Sequence, residues 1–251
     1  MSSRSDLQLQ RHEMKYLVSA ALRLPIRAFV AAYLDLDAFA AAAEDYAYPI
    51  HSIYLDSPSL RTFQATENGD RNRFKLRVRY YDDQPESPVF LEIKRRHDNV
   101  IHKLRCNVPR DSLPAVLAGD AGPVREKDRE GHAIFLHRMH ELQATPRAHV
   151  AYLREAWVSR HDNSLRVTMD REVRVEPKFD LVPRTMMRHP VRPFGDRIVV
   201  ELKYTNHPPA WFHELVRTFG LMQSGGPKYS GGVKLYGEQY FMGGGPRTFA
   251  A

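Results

Sequence analysis

The sequence predicts an α+β protein dominated by antiparallel strands, with helices packed outside the sheet. Many short segments alternate polar and apolar residues with the two-residue period of a strand. Only three stretches carry a helical period, and they do not alternate with strands in the rhythm of a parallel sheet. The 251 residues, 43% hydrophobic and 27% charged, show no repeat or low-complexity tract and suffice to bury a sizeable core.

The predicted strands, in chain order, are Leu9 to Val18, His51 to Asp56, Arg73 to Tyr81, Val89 to Arg96, Val100 to Val108, Arg147 to Arg154, Ser164 to Val175 and Arg197 to Tyr204. The predicted helices are an Ala-rich stretch from Ile26 to Ala42, Ala133 to Gln143, and Pro208 to Phe219, the last ended by Gly220. Asp82 to Pro88 and Asp180 to Asp196 are rich in Asp and Pro and read as loops. Residues 1–8 and the Gly-rich tail 243–251 are expected to be disordered around a single domain at 9–242.

The net charge of +7 points to an anionic partner, and its placement narrows the choice. From Arg73 to Tyr80, one strand face reads Arg73, Lys75, Arg77, Arg79 and the other Phe74, Leu76, Val78, Tyr80. The pattern recurs with Glu92, Lys94 and Arg96, with Lys103 and Arg105, with Arg166 and Asp170, with Glu201 and Lys203, and with Arg11, Glu13 and Lys15. Two readings fit. Either these are solvated outer faces, or they point into a barrel, where so many cations need a polyanion. In the second reading Arg and Lys meet phosphate oxygens, and the few carboxylates hold a hard cation such as Mg²⁺ or Mn²⁺.

Other classes find less support. The single cysteine, Cys106, forms no intrachain disulfide and reads as a small buried residue. No apolar run has the length of a membrane span, and Met1 to Gln10 lacks a signal core, so a cytoplasmic protein is expected, with a membrane partner left open. No RNP-like motif accompanies Tyr80 and Tyr81, which argues against nucleic acid. The i, i+3 pair His137 and His140, with His132, reads as surface or packing rather than metal ligation. Gly225-Gly226-Pro227 and Gly231-Gly232 flank Lys228 without forming a Walker A motif, and read as a flexible mouth loop or a plain turn.

In order and spacing, several pieces resemble the polyphosphate-polymerase (VTC) domain of the triphosphate tunnel metalloenzyme, or CYTH-like, superfamily. They are Arg-His-Glu-Met-Lys-Tyr (Arg11 to Tyr16), Ser-Ile-Tyr-Leu-Asp (Ser52 to Asp56), Lys-Leu-Arg-Val-Arg-Tyr-Tyr (Lys75 to Tyr81), Phe-Leu-Glu-Ile-Lys-Arg-Arg (Phe90 to Arg96), Lys103 and Tyr-Leu-Arg-Glu-Ala-Trp (Tyr152 to Trp157). Arg-Val-Thr-Met-Asp (Arg166 to Asp170), Val-Val-Glu-Leu-Lys-Tyr (Val199 to Tyr204) and Lys-Tyr-Ser-Gly-Gly-Val (Lys228 to Val233) complete the set. The resemblance implies an eight-stranded tunnel-like β-barrel with flanking helices. It implies catalytic roles for Lys15, Arg77, Arg79, Lys94, Arg154, Arg166 and Glu201, and substrate binding by Lys75, Lys103, Lys203, Lys228, Tyr229 and Ser230. It places Glu201, with Glu13 and Glu92, on a Mn²⁺ or Mg²⁺ ion.

The implied reaction moves the ATP γ-phosphate onto a polyphosphate chain. A tri- or polyphosphate hydrolase, or a module that only binds polyphosphate or nucleotide, is the alternative. The chain departs from the superfamily's Glu-x-Glu-x-Lys pattern, since Arg11 precedes Glu13 and Lys15. That favours the polymerase branch and removes one possible metal ligand. Gly231 follows Ser230 where a further cation is often found.

Overall fold

The computed structural model describes residues 11–98, 100–160, 162 and 164–242. The expectations for 1–8 and 243–251, and for Leu9 and Gln10, lie outside the described residues. Among these, the strands are β1 (Arg11–Val18), β2 (Asp35–Leu36), β3 (Tyr48–Asp56), β4 (Asn72–Tyr80), β5 (Val89–His97), β6 (Val100–Val108), β7 (Thr145–Val158), β8 (Leu165–Pro177) and β9 (Ile198–Thr205). The α-helices are α1 (Arg23–Ala31), α2 (Ala38–Ala42), α3 (Arg61–Glu67), α4 (Leu113–Leu117), α5 (Arg129–Leu142), α6 (Ala210–Thr218) and α7 (Lys228–Tyr236).

Eight strands form one antiparallel sheet in the order β1-β9-β8-β7-β3-β4-β5-β6, and β2 adds to β7. The sheet curls round a cavity but is not closed. Between its edge strands β1 and β6 no hydrogen-bonded ladder forms among the described residues. An ion pair spans this side instead, from Glu13 on β1 to Lys94 on β5, at 2.9 Å.

Strand alternation decides what faces where. Leu76, Val78 and Tyr80 of β4, Leu91 and Ile93 of β5, and Cys106 and Val108 of β6 point outward. There they meet Leu113 and Val116 of α4 and Phe135 of α5. Val200 and Leu202 of β9, with Val167 and Met169 of β8, likewise meet Ile26 and Val30 of α1 and Phe212 and Leu215 of α6. With both outer faces buried under helices, the opposite charged faces are left to line the inside.

Two helical expectations are corrected. Ile26 to Ala42 is not one helix. The chain breaks after α1, Asp35 and Leu36 pair with Val158 and Trp157 of β7, and Asp37 restarts it as the N-cap of α2, accepting from the Ala40 amide at 2.8 Å. Lys228 sits neither on a flexible loop nor on a plain turn but opens α7. Gly232 explains why a glycine-containing segment is helical here. A Cβ at that position would come within 2.4 Å of the Val175 side chain, so only glycine lets α7 lie this close to β8.

Candidate functional site

The inward faces line a cavity of about 890 Å³. Its walls carry Lys15, Lys75, Arg77, Arg79, Lys94, Lys103, Arg154, Arg166, Lys203 and Lys228, together with Glu13, Glu201 and Tyr229. Nearly all the side chains singled out in the sequence are therefore brought to one place. Glu92 lies beneath this wall, fully buried, and Ser230 is buried in the packing of α7.

The register arranges the cations in rows across the strands. Lys75 of β4 is directly opposite Lys94 of β5, and Lys94 is directly opposite Lys103 of β6. One step along, Arg77, Glu92 and Arg105 form a second row, with the carboxylate in the middle. Like charges directly opposite destabilise a sheet, whereas alternating charges support it. The second row thus alternates in sign, whereas the first sets like charges directly opposite one another. Glu92 is 2.7 Å from Arg77 and 2.7 Å from Lys103, and 3.6 Å from both Arg79 and Arg105. Lys94 reaches Glu13, but Lys75 has no carboxylate within ion-pair distance among the described residues. Its ammonium stands 5.9 Å from the Tyr229 ring.

Proton affinities follow this arrangement. Burial pulls Lys75 down to about 8, with Lys15 and Lys94 adding to the effect. Burial likewise brings Lys94 to about 8 and Lys103 to about 7, against the pull of Glu13 and Glu92 respectively. Burial also works against Lys15 and Lys228, but carboxylates outweigh it and hold both above the usual lysine value: Glu13 and Glu201 for Lys15, Asp170 and Glu201 for Lys228. Burial would raise Glu13, Glu92 and Glu201, yet the surrounding cations hold all three below the ordinary carboxylate range.

Glu201 is the hub of the opposite wall. It accepts from Lys203 Nζ at 2.6 Å, lies 3.1 Å from Lys15 and 3.4 Å from Lys228, and faces Arg154 at 3.7 Å. Lys15 also contacts Glu13 at 2.9 Å, so one ammonium joins the two carboxylates. Among the described residues no three His, Cys, Asp or Glu side chains gather into a metal cage. Glu13 and Glu201 fit a hard cation that brings phosphate and water as its remaining ligands, the usual coordination of Mg²⁺. Glu92, enclosed by its own set of cations, stands apart from them.

Sequence reasoning did not assign Asp170. This fully buried carboxylate accepts both arms of Arg154, at 2.7 and 2.8 Å, and meets Lys228 at 2.6 Å. It fixes two of the wall cations at once. The signal was its shared face with Arg166 and Thr168, but its partners lie on β7 and α7, far away in sequence. Two tyrosines, Tyr54 and Tyr152, also went unassigned. Tyr54 accepts from Arg77 at 3.0 Å and stacks on Tyr229 at 4.9 Å, and Tyr152 accepts from Arg79 at 3.2 Å. Burial would raise the Tyr54 phenol, but Arg77, Lys75 and Arg79 bring it down to about 8. Tyr229 is held by Asp56, which accepts from its hydroxyl at 2.9 Å and from the first-turn amides of α3. Arg166 stands at the rim, donating to Asp37 at 2.7 Å.

Three solved structures are similar to this chain. A candidate adenylate cyclase of Bacillus halodurans is 13% identical, with 87% of this chain and 96% of that one aligned at a TM-score of 0.49. A protein of Pyrococcus horikoshii OT3 is 13% identical over 90% and 98% of the two chains (TM-score 0.45). A candidate adenylate cyclase of Vibrio parahaemolyticus is 10% identical over 89% and 97% (TM-score 0.46). No curated protein matches by sequence. No helix among the described residues is long and apolar enough to cross a membrane. The VTC domain model matches residues 10–236, nearly the whole chain and every charged row of the cavity, and the chain belongs to the VTC domain family.

Proposed function

We propose that this chain is a metal-dependent polyphosphate polymerase that moves the γ-phosphate of ATP to the end of a polyphosphate chain held among the wall cations. The observation that carries the reading is the row Lys75–Lys94–Lys103, three lysines directly opposite one another with too few carboxylates to balance them. A linear polyanion running across the strands supplies the missing charge.

The chemistry asks little covalent work of the protein. An ionised terminal oxygen of the chain attacks the γ-phosphorus, the bond from that phosphorus to the β,γ-bridging oxygen breaks, and ADP leaves with the electron pair. No proton has to be removed from the acceptor. The wall contributes positioning and neutralisation of charge. Arg77 and Arg154 are oriented in advance by Glu92 and Asp170, while Lys75, Lys94, Lys103 and Lys203 act as point charges. The family implies a divalent metal, Mn²⁺ or Mg²⁺ in this reading, held by Glu201 and Glu13; when bound it would act as a Lewis acid on phosphate oxygens.

A hydrolase on the same wall would need a base to orient water. Glu13, Glu92 and Glu201 are all ion-paired and held below the usual carboxylate range, which makes them weak bases and favours the polymerase. The reading places the reaction in the cytoplasm, with cytoplasmic ATP as donor and polyphosphate as acceptor.

The test is incubation with ATP and Mn²⁺, followed by gel analysis of chain length beside a free-phosphate assay. A lengthening ladder is expected, and Glu201→Gln should abolish it while the chain still folds, although the loss of a buried partner of Lys15, Lys203 and Lys228 lowers its stability. Orthophosphate alone would replace the polymerase with a hydrolase. Full turnover in the variant would remove Glu201 from the site.

A further inference from the structure

One part of the cavity wall is not explained by phosphate. Phe39, on α2, is 72% exposed, although it is a large apolar side chain next to a strongly polar cavity. Its ring lies 5.7 Å from that of Tyr48 and 6.4 Å from that of Tyr81, and it is parallel to Tyr81 within 3°. Tyr48 and Tyr81 stand 6.4 Å apart and both line the cavity. Phe90 meets Tyr81 edge-on, and the Arg105 guanidinium lies flat over Phe90 at 3.6 Å while donating to the Tyr81 hydroxyl at 3.1 Å.

These rings come from three separate parts of the chain and converge where the phosphate-binding wall ends. Two polar links, one hydrogen-bonded and one ion-paired, join the rim to that wall. Tyr48 donates to Asp37 at 3.2 Å, and Asp37 also accepts from Arg166. Arg105 reaches Glu92, which in turn faces Arg77 and Arg79. At the other end of β4 the wall has arginines, Arg73 opposite Arg96, and no cluster of stacked rings lies beside them among the described residues. The cavity is therefore asymmetric, aromatic at the Tyr81 end of β4 and cationic at the Arg73 end.

We propose that the Phe39–Tyr48–Tyr81 rim stacks the purine base of a nucleoside triphosphate whose phosphates lie on the adjacent cations. The inference rests on the phosphate-binding reading of the wall and deepens it by naming the residues that would hold the base and the end of the cavity at which it sits. An exposed ring beside fixed cations is the combination that nucleotides recognise, since stacking accepts any base while the charges hold the phosphates. The hydroxyl of Tyr48 and the carboxylate of Asp37 are already paired with each other, so the rim offers ring faces rather than a hydrogen-bond code. It selects by stacking area, purine over pyrimidine, and does not separate adenine from guanine.

Calorimetric titration with two probes tests this: the imido analogue of ATP, which resists γ-transfer, and inorganic tripolyphosphate, which has no base. Phe39→Ala is chosen because Phe39 is exposed and its loss leaves the core intact. It should weaken the nucleotide about tenfold, in line with base–aromatic stacking, and leave tripolyphosphate within about twofold. Phe39→Trp should restore the nucleotide affinity. If Phe39→Ala leaves nucleotide binding unchanged, or weakens both probes equally, the rim is not a base platform, while a wall that still binds tripolyphosphate stands. If the unmodified protein binds neither probe, the phosphate reading fails and the base platform fails with it.

Discussion

Binding of a polyanion to this wall should draw protons out of solution. Burial and neighbouring cations disfavour the charged forms and bring Lys75 and Lys94 to about 8 and Lys103 to about 7. At pH 8 about half of each of the first two, and about a tenth of the third, carry a proton. Up to about two protons are therefore missing from the row. A phosphate chain laid across it favours the ammonium form and raises all three values, so the protons return on binding. The sign is definite: affinity is highest below about pH 7 and declines as pH rises through 7 to 9. Titration with tripolyphosphate at pH 8, in buffers of different ionisation enthalpy, measures the uptake directly after correction for the ligand's own protonation. Lys75→Met should reduce the uptake by about half a proton. Uptake near zero at pH 8, with an affinity flat from pH 6.5 to 9, would mean that the lysine row does not meet the ligand.

Two further substitutions probe the scaffold. Asp170→Asn removes the buried partner of Arg154 and Lys228 and should cost about 3–5 kcal/mol, as loss of one member of a buried pair does. Denaturant unfolding checks this, and tripolyphosphate should recover more stability in the variant than in the parent, because its phosphates replace the lost carboxylate. Gly232→Ala drives a methyl group into Val175 and should destabilise by about 1–3 kcal/mol while shifting α7. Weakened tripolyphosphate binding in the same variant would report the displacement of Lys228, whereas unchanged binding with unchanged stability would show that α7 does not need this close approach.

Much of the wall was legible because alternation is a local property. Once Leu76, Val78 and Tyr80 are assigned to the core, Lys75, Arg77 and Arg79 must share the other face. Which way that face points is not local, since it depends on the helices that cover the apolar side. Composition left that choice open, and the family resemblance tipped it. The misread segments have specific causes. In Ile26 to Ala42 the abundance of alanine masked Asp37, whose capping of α2 outweighs propensity. Around Lys228 the glycines suggested a loop or turn, because Gly disfavours helix, but their use here is steric. Asp170 lay in plain sight on an alternating strand. Its role needed the register that places it opposite Arg154 of β7, together with the approach of α7. Of the aromatic rim only Tyr81 drew notice in the sequence, as a residue without an RNP-like motif, because Phe39, Tyr48 and Tyr81 lie apart in the chain.

The placement of the carboxylates also bears on why the sheet stays open. Glu92 and Asp170 are fully buried and each binds at least one arginine, so the cations they fix were compensated as the fold formed. Glu13 and Glu201 differ: their partners are mostly lysines, which carry flexible point charges and release more readily than a forked guanidinium. Glu13 also carries the ion pair that links β1 to β5 across the unladdered side. A cation that claims Glu13 and Glu201 therefore competes with Lys15, Lys94 and Lys203, and frees those ammonium groups for phosphate. A full ladder between β1 and β6 would hold that side rigid. An ion-paired seam would let the same residues serve as closure in one state and as ligands in another, which suits the proposed polymerase, whose substrate would lengthen at every turnover.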